Sequence, residues 1–415
     1  MGLLPSPSPY QSEKDEESSH PSSNHLYSDS STSSLSSQPS LPSVPSLTAP
    51  FPHQNDQNFT IHHECVATLK DHSSYVSSLA LEGKFLYSGS SYSEIRAWRP
   101  DPFDVENRTG DIVAISNGAV KSIVVSGDKI FSAHQDFKIR VWKIDTKNDQ
   151  RYYKCIATLP TACDRFLRLF SEKNYVQVRR HKKCTWVHHV DTVSALTMSK
   201  DGLLLFSASW DRTFKVWRTS DFKCLESVRN AHEDAINAID LSSEGLVYTG
   251  SADKKIKVWK KLSGEKRHSL MATMEAHKSA VNALALSPDG SVLYSGACDR
   301  SILVWKREAG VAIDAGGLRM VVAGALRGHS KAILCLAIVS DLVCSGSADN
   351  TVRIWRATKE NYCCLAVLQG HTKPIKCITA AIDTNNGSDS CTSCVVYSGS
   401  LDCDIKIWKI QVSIL

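Results

Sequence analysis

Short runs in which apolar and polar positions alternate recur through residues 61–411. The stretches KIRVW (138–142), TFKVW (213–217), KIKVW (255–259) and TVRIW (351–355) place β-branched or aromatic residues between basic ones, the period-two pattern of a half-buried strand. Each is the tail of an eleven-residue window that ends in tryptophan. The seven windows are SGSSYSEIRAW (88–98), SAHQDFKIRVW (132–142), SASWDRTFKVW (207–217), TGSADKKIKVW (249–259), SGACDRSILVW (295–305), SGSADNTVRIW (345–355) and SGSLDCDIKIW (398–408). Each opens on Ser or Thr, and six carry Asp at the fifth position, where the first has Tyr92. Such Ser-Gly-Ser-x-Asp segments are turn chemistry. Upstream lies a His followed four residues later by Val or Ile: His72/Val76, His189/Val193, His232/Ile236, His277/Val281, His329/Ile333 and His371/Ile375, with Ser116 at the His position of the second unit.

Each unit therefore reads as four short antiparallel strands. Strand a follows the His, b ends in the Ser-x-Ser turn, c ends at the Trp, and d leads to the next His. This pattern resembles the WD40 repeat over about residues 61–411, and seven copies in register are far more specific than one motif. The resemblance implies an all-β, seven-bladed propeller. CVATLKDH (65–72) looks like CCLAVLQGH (363–371) without a preceding a, b or c strand, and the last unit has no d strand after Trp408. The N-terminal strand is expected to complete the C-terminal blade, which leaves no open edge in the ring. Two insertions absorb the surplus length, at about 160–188 and 381–393.

His189, Ser207 and Asp211 invite a nucleophilic triad. The same set, with a tryptophan, recurs as His232/Thr249/Asp253/Trp259, His277/Ser295/Asp299/Trp305, His329/Ser345/Asp349/Trp355 and His371/Ser398/Asp402/Trp408, beside Trp217 in the third unit. An active site has no need of five copies, whereas buried polar groups must be satisfied in every blade. The resemblance implies that these positions form structural Asp–His–Ser/Thr–Trp chains. No Gly-rich phosphate loop, HExxH or catalytic carboxylate pair stands out, so the chain is expected to be non-enzymatic, with no cofactor and no metal. Cys391-x-x-Cys394 lacks a matching second pair for structural zinc.

Composition divides the chain near residue 60. Residues 1–60 hold 17 Ser and 9 of the 14 Pro, with Lys14 alone against six acidic residues. That stretch carries −5 and, from the overall +5, the body carries +10. It has too little apolar surface to offset chain entropy and is expected to be a disordered Ser/Pro-rich tail. No run approaches 18 apolar residues, so no membrane span is expected. Without an export signal, the 14 cysteines read as reduced thiols.

In an up-and-down blade the d–a and b–c turns share one end of the ring. Tyr75, Glu233 and Lys278 beside the His turns, and Gln135 and Trp210 just before the turn Asp, are thus candidate partner contacts around one mouth of the central channel. Trp210 stands out because its equivalents are mostly small. The insertion at 160–188 leaves a d–a connection and is expected on this same end. Its basic run adds Arg179, Arg180, Lys182 and Lys183 as candidates for an acidic partner. KNYVQVRRHKK (173–183), Trp186, HVDTVSAL (189–196) and ATLPT (157–161), with the Ser/Pro-rich leader, are similar to the plant WD40 group named JINGUBANG-like. That resemblance implies a non-enzymatic regulator acting through protein contacts, with transcription factors among its partners, in cytoplasm and nucleus. A closed ring has no obligatory dimer surface, so a monomer is expected. The alternative is a substrate receptor of a cullin-type ubiquitin ligase. Such receptors resemble one another in a Trp-Asp-x-Arg/Lys ending, but here Arg or Lys follows every repeat Trp. Direct nucleic-acid binding is disfavoured, since the basic excess is not focused.

Overall fold

The structure is a computed structural model that describes residues 44–48, 59–99, 110–147, 150–168, 170, 175–179, 182–308, 318–357, 361–383 and 391–414. These residues belong to the compact unit Ser43–Leu415. Seven four-stranded antiparallel sheets, each hydrogen-bonded in the order a-b-c-d, form the blades. Strand a of every blade packs on strand a of the next, and that of blade 7 on that of blade 1, so the ring is closed. The seventh blade takes its d strand from Phe59–Leu69, which pairs antiparallel with Ile405–Ile414. The expected closure is present.

The two repeating sequence signals are halves of one contact. Where the window begins Ser-Gly or Thr-Gly, the glycine faces the Val or Ile that lies four residues after the His position of the next unit, which is Ser116 in the second. A Cβ on Gly296 would sit 2.4 Å from Ile333 Cγ2, and one on Gly250 2.8 Å from Val281 Cγ1. The missing side chain of one blade is filled by the branched side chain of its neighbour, so blades interlock at van der Waals distance. The hydrophobic cores lie between blades for the same reason: Tyr294, Ile302 and Val304 of blade 5 bury with Ile333, Val343 and Trp355 of blade 6. Nearer the channel, strand a side chains reach across the seams. Ser77 Oγ donates to Val120 O (2.5 Å), Ser194 Oγ to Ile236 O (2.5 Å), Asn237 Nδ2 to Val281 O (3.0 Å) and Asn282 Nδ2 to Ile333 O (2.9 Å).

Two features add detail to the expectations. Most of residues 1–60 lies outside the described residues. Residues 44–48, inside that stretch, run extended beside strand d of blade 5 (Met320–Leu326), with parallel bridges Ser46–Ala325 and Thr48–Tyr362. This short piece does have surface to bury, in Val44 and Leu47, and unpaired edge backbone to bond. The 160–188 insertion also does not simply rise from the rim. Its short helix, Ala162–Phe166, is tied to the outer strand of blade 3, Cys224–Val228. The Asp164 carboxylate accepts the Cys224 N–H (3.0 Å), and Arg168, paired with Asp164, donates to Cys224 O (3.2 Å). One N–H and one C=O of an exposed sheet edge are capped by a charged pair.

Candidate protein-interaction face

The turns that build the face are held by the buried chains expected from the repeats. In blade 3, His189 Nδ1 lies 3.1 Å from Asp211 Oδ2, His189 Nε2 2.8 Å from Ser207 Oγ, and Trp217 Nε1 donates to Ser207 Oγ at 2.8 Å. The corresponding His–carboxylate distances are 2.8 Å in blade 4 (His232–Asp253), 3.0 Å in blade 5 (His277–Asp299), 2.8 Å in blade 6 (His329–Asp349) and 2.9 Å in blade 7 (His371–Asp402). In those blades Thr249, Ser295, Ser345 and Ser398 join the histidine to Trp259, Trp305, Trp355 and Trp408 at 2.7–3.0 Å. Burial alone would raise the Asp211 carboxyl, but the His189 imidazole and Thr213 hydroxyl hold it well below the usual range. Asp253 is held at about 2, again against burial, by His232. The hydroxyls of Ser207, Ser295, Ser345 and Ser398 are fully buried and already engaged by a histidine and an indole. A nucleophile needs a path to substrate; these serines have none.

Two blades reach the same result with residues the repeat alignment does not flag. Blade 1 has Tyr92 where Asp belongs, and the longer Glu94, two positions on, reaches His72 Nδ1 (3.3 Å), while Ser88 links His72 to Trp98 (2.6 and 2.7 Å). Blade 2 lacks the turn His. His134, from strand b, enters the same space: Nε2 lies 2.8 Å from Ser132 Oγ and Nδ1 3.1 Å from Gly118 O. Asp136, released from that role, pairs with Arg140 (2.5 Å). The signal for both was on the page, since Glu94 and His134 are the only Glu and His within the seven windows.

A further bond repeats seven times. The N–H just before the turn-Asp position donates to the carbonyl just before strand a: Ser91 to Tyr75, Gln135 to Ala119, Trp210 to Thr192, Ala252 to Ala235, Cys298 to Ala280, Ala348 to Ala332 and Leu401 to Pro374, at 2.9–3.1 Å. The d–a and b–c turns are thereby sewn together at one end of every blade. Tyr75, Gln135, Trp210, Glu233 and Lys278 all lie at this end. Gln135, Glu233 and Lys278 are exposed, Tyr75 half-buried, and Trp210 40% exposed. The Trp210 ring is not folded away. It lies 5.7 Å from the Nζ of Lys121 on the innermost strand of blade 2. Burial, then the charge of Lys376 on blade 7, pushes the Lys121 ammonium down from its ordinary value.

Two more aromatic side chains share this end: Tyr92 is 70% exposed and Phe137 43% exposed. With Trp210 they occupy the b–c turns of blades 1, 2 and 3. Phe137 has φ +68°, like the residue after the Asp position in every blade. That left-handed geometry is costly for a bulky side chain, and the other windows place Ser, Arg, Lys, Asn or Cys there. An aromatic is thus held at a strained turn with 43% of its surface open to solvent.

The basic run is located only in part. Strands Tyr175–Arg179 and Lys182–Thr185 form a two-stranded hairpin in which Arg179 pairs with Lys182 and Gln177 with Lys183. Arg180 lies outside the described residues. The chain returns through Trp186, whose carbonyl accepts the buried Lys215 ammonium at 2.7 Å. Several of the body's other basic residues are also used internally. Arg96 donates to Gly110 O (2.9 Å), Lys257 to Ala231 O (2.8 Å) and Lys406 to Thr68 Oγ1 (3.0 Å). After the repeat tryptophans, Lys143, Arg218, Arg356 and Lys409 pair with Asp145, Asp221, Asp341 and Asp383. Part of the +10 charge of the body is thus engaged by groups of the described residues themselves. Cys394 of the CxxC is buried, its thiol pushed up to about 12 by burial. No helix among the described residues is long and apolar enough to cross a membrane.

The chain was compared with known proteins. It is 28% identical over 201 residues to autophagy-related protein 16 of Arabidopsis thaliana, covering 46% of this chain and 36% of that protein. It is also 28% identical over 165 residues to an uncharacterized WD repeat-containing protein of Schizosaccharomyces pombe, covering 38% of this chain and 42% of the other. The chain thus spans less than half the length of either relative. The WD40 β-propeller domain of Doa1 superposes with a TM-score of 0.59 at 21% identity, over 83% of this chain and 96% of that domain, a likeness of fold. Propellers of this kind generally bind other proteins and are generally non-catalytic. The family model described as "WD domain, G-beta repeat" matches residues 63–99, 181–218, 222–260, 268–306, 321–356 and 362–409. It skips the unit whose turn histidine is replaced by His134, although that unit folds as a blade like the rest. The matches cover more than half of the sequence, and the chain belongs to the WD domain, G-beta repeat family.

Proposed function

We propose that the protein is a non-enzymatic scaffold that binds regulatory proteins on the d–a/b–c end of blades 1–3. The observation that carries this reading is the arc of Tyr92, Phe137 and Trp210, three exposed aromatics on consecutive blades. Clustered aromatics at a concave rim are the usual anchors of protein interfaces. Lys121 beneath Trp210 adds a positive charge at the channel mouth and favours an acidic segment of the partner. Gln135, Tyr75, Glu233 and Lys278 extend the same rim, and the basic residues Arg179, Arg180, Lys182 and Lys183 supply a second contact. The resemblance of residues 173–183 to the plant JINGUBANG-like group speaks for a regulator of transcription factors acting in cytoplasm and nucleus, and the closed ring, which has no obligatory dimer surface, speaks for a monomer. The missing Trp-Asp-x-Arg/Lys ending speaks against the ubiquitin-ligase receptor.

The test is affinity purification from native tissue with the full chain as bait. Replacing Tyr92, Phe137 and Trp210 by Ser together should lower recovery of the specific partners at least tenfold and leave the melting temperature unchanged. Replacing Arg179, Arg180, Lys182 and Lys183 by Glu measures the second contact separately. Equal recovery by the aromatic variant overturns the site. Co-recovery of a cullin adaptor in place of regulators would favour the ligase receptor.

A further inference from the structure

The segment Val44–Thr48 is an extended peptide seated in a groove on the outer circumference of the ring, at the seam of blades 5 and 6. Its backbone adds to the edge of blade 5: Ala325 N–H donates to Pro45 O, and Leu47 N–H to Ala325 O, both at 2.9 Å. It then crosses the seam, where Tyr362 N–H, on the outer strand of blade 6, donates to Leu47 O at 2.9 Å. The Thr48 hydroxyl satisfies both backbone groups of Arg327, accepting from N–H (2.7 Å) and donating to O (3.2 Å). The Arg327 guanidinium closes the other end on Val44 O (3.2 Å).

The groove is fitted to its occupant. Gly324 lies at its floor. The three nearest atoms that a Cβ there would meet all belong to the peptide: Leu47 Cγ at 2.4 Å, Pro45 O at 2.9 Å and Leu47 Cδ1 at 3.0 Å. Leu47 packs on the cluster of Tyr294, Leu326 and Tyr362, whose two tyrosine hydroxyls bond across the seam at 2.8 Å. Val44 packs on the neighbouring cluster of blades 4 and 5. Strand addition at a sheet edge, with one pocket for an apolar side chain and one polar clamp, is a recurrent mode of peptide recognition.

We propose that the seam of blades 5 and 6 is a receptor groove for an extended, uncharged Pro-x-Leu-Thr segment, and that the protein's own leader fills it in cis. Proline is accepted at the first position because the groove bonds that residue's carbonyl and asks for no N–H from it. The leucine requirement follows from the floor at Gly324, and the threonine requirement from the Arg327 backbone pair. A partner carrying the same segment gains the groove only when the leader leaves. A tethered ligand acts at an effective concentration of order millimolar, so the occupied groove resists weak competitors. This site is on the outer wall, separate from the aromatic arc, and stands whether or not that arc binds a partner.

The experiment measures binding of a fluorescent peptide with the sequence of residues 42–50 to the full chain by anisotropy. Leu47→Asp removes the cis ligand and leaves the groove intact. It should bind the peptide at least about tenfold more tightly than the wild type. Adding Gly324→Ala to Leu47→Asp fills the floor and should abolish that gain. Amide exchange on the unaltered chain gives a reading independent of any variant: the N–H groups of Leu47, Ala325 and Tyr362 should be protected together. Equal affinity for wild type and Leu47→Asp, binding indifferent to Gly324→Ala, or exchange of Leu47 at the rate of an unstructured peptide each overturns the proposal.

Discussion

Blade 2 should make the molecule sensitive to mild acid, through His134. In blades 3 to 7 the buried imidazole lies within hydrogen-bonding distance of an Asp carboxylate. His134 faces the Gly118 carbonyl instead, and its nearest carboxylate, Asp136, is paired with Arg140. Burial, reinforced by the Arg140 guanidinium, pulls the imidazole from 6.5 down to about 4. Above pH 6.5 the ring is neutral in both the folded and the unfolded chain and costs nothing. Below 6.5 the unfolded chain takes up a proton that the folded one refuses until about pH 4, so stability falls across that window. At about 1.4 kcal/mol per pH unit, the loss from pH 7 to pH 5 comes to about 2 kcal/mol from this one residue. His134→Gln can still accept from Ser132 and donate to Gly118 but cannot titrate. Urea unfolding of both proteins at the two pH values isolates the contribution, because every other titrating group cancels in the difference. The wild type should lose about 2 kcal/mol more than the variant. An equal loss would refute the assignment of a neutral, uncompensated His134.

Two other substitutions test how the departures from the repeat are compensated. Glu94→Asp is too short to reach His72 or Arg96 from its position, and loss of those bonds should cost about 1–2 kcal/mol. It should raise amide exchange in Val76–Glu82 while leaving blade 4 unchanged. Asp164→Ala removes the cap on Cys224 N–H and the anchor of Arg168. Trypsin should then cut the 160–188 insertion several-fold faster with little change in the melting of the ring; unchanged cutting would mean that the helix is held by other contacts.

The ring was legible because its chemistry is repeated. A glycine that leaves room, a branched residue that fills it and a His–Ser–Trp chain appear in fixed register, so each copy supports the reading of the others. What repetition does not encode was less visible. Glu94 and His134 satisfy the same buried groups from different backbone positions, and a pattern tied to position passes over them. Tyr92 and Phe137 are conspicuous only once their turns are known to share an end with Trp210. The insertion's origin was readable, but its path was not, since Asp164 and Arg168 bind an edge that exists only in the folded blade. Residues 44–48 are too few to alter the composition of a Ser/Pro-rich stretch, yet they carry the two apolar side chains and the hydroxyl that a preformed seam accepts.

The shared seventh blade also bears on how the protein is made. Phe59–Leu69 leaves the ribosome among the earliest described residues, but its partner, Ile405–Ile414, is among the last. Throughout translation the first of these strands must wait with an open edge, and the nascent units can stack as a crescent without becoming an annulus. Distant pairing of this kind bears a loop-closure entropy that the hairpins within a blade largely escape, which favours joining the two ends after the blades between them. Premature termination before residue 405 would leave an early strand exposed to other chains, a natural target for holdase chaperones.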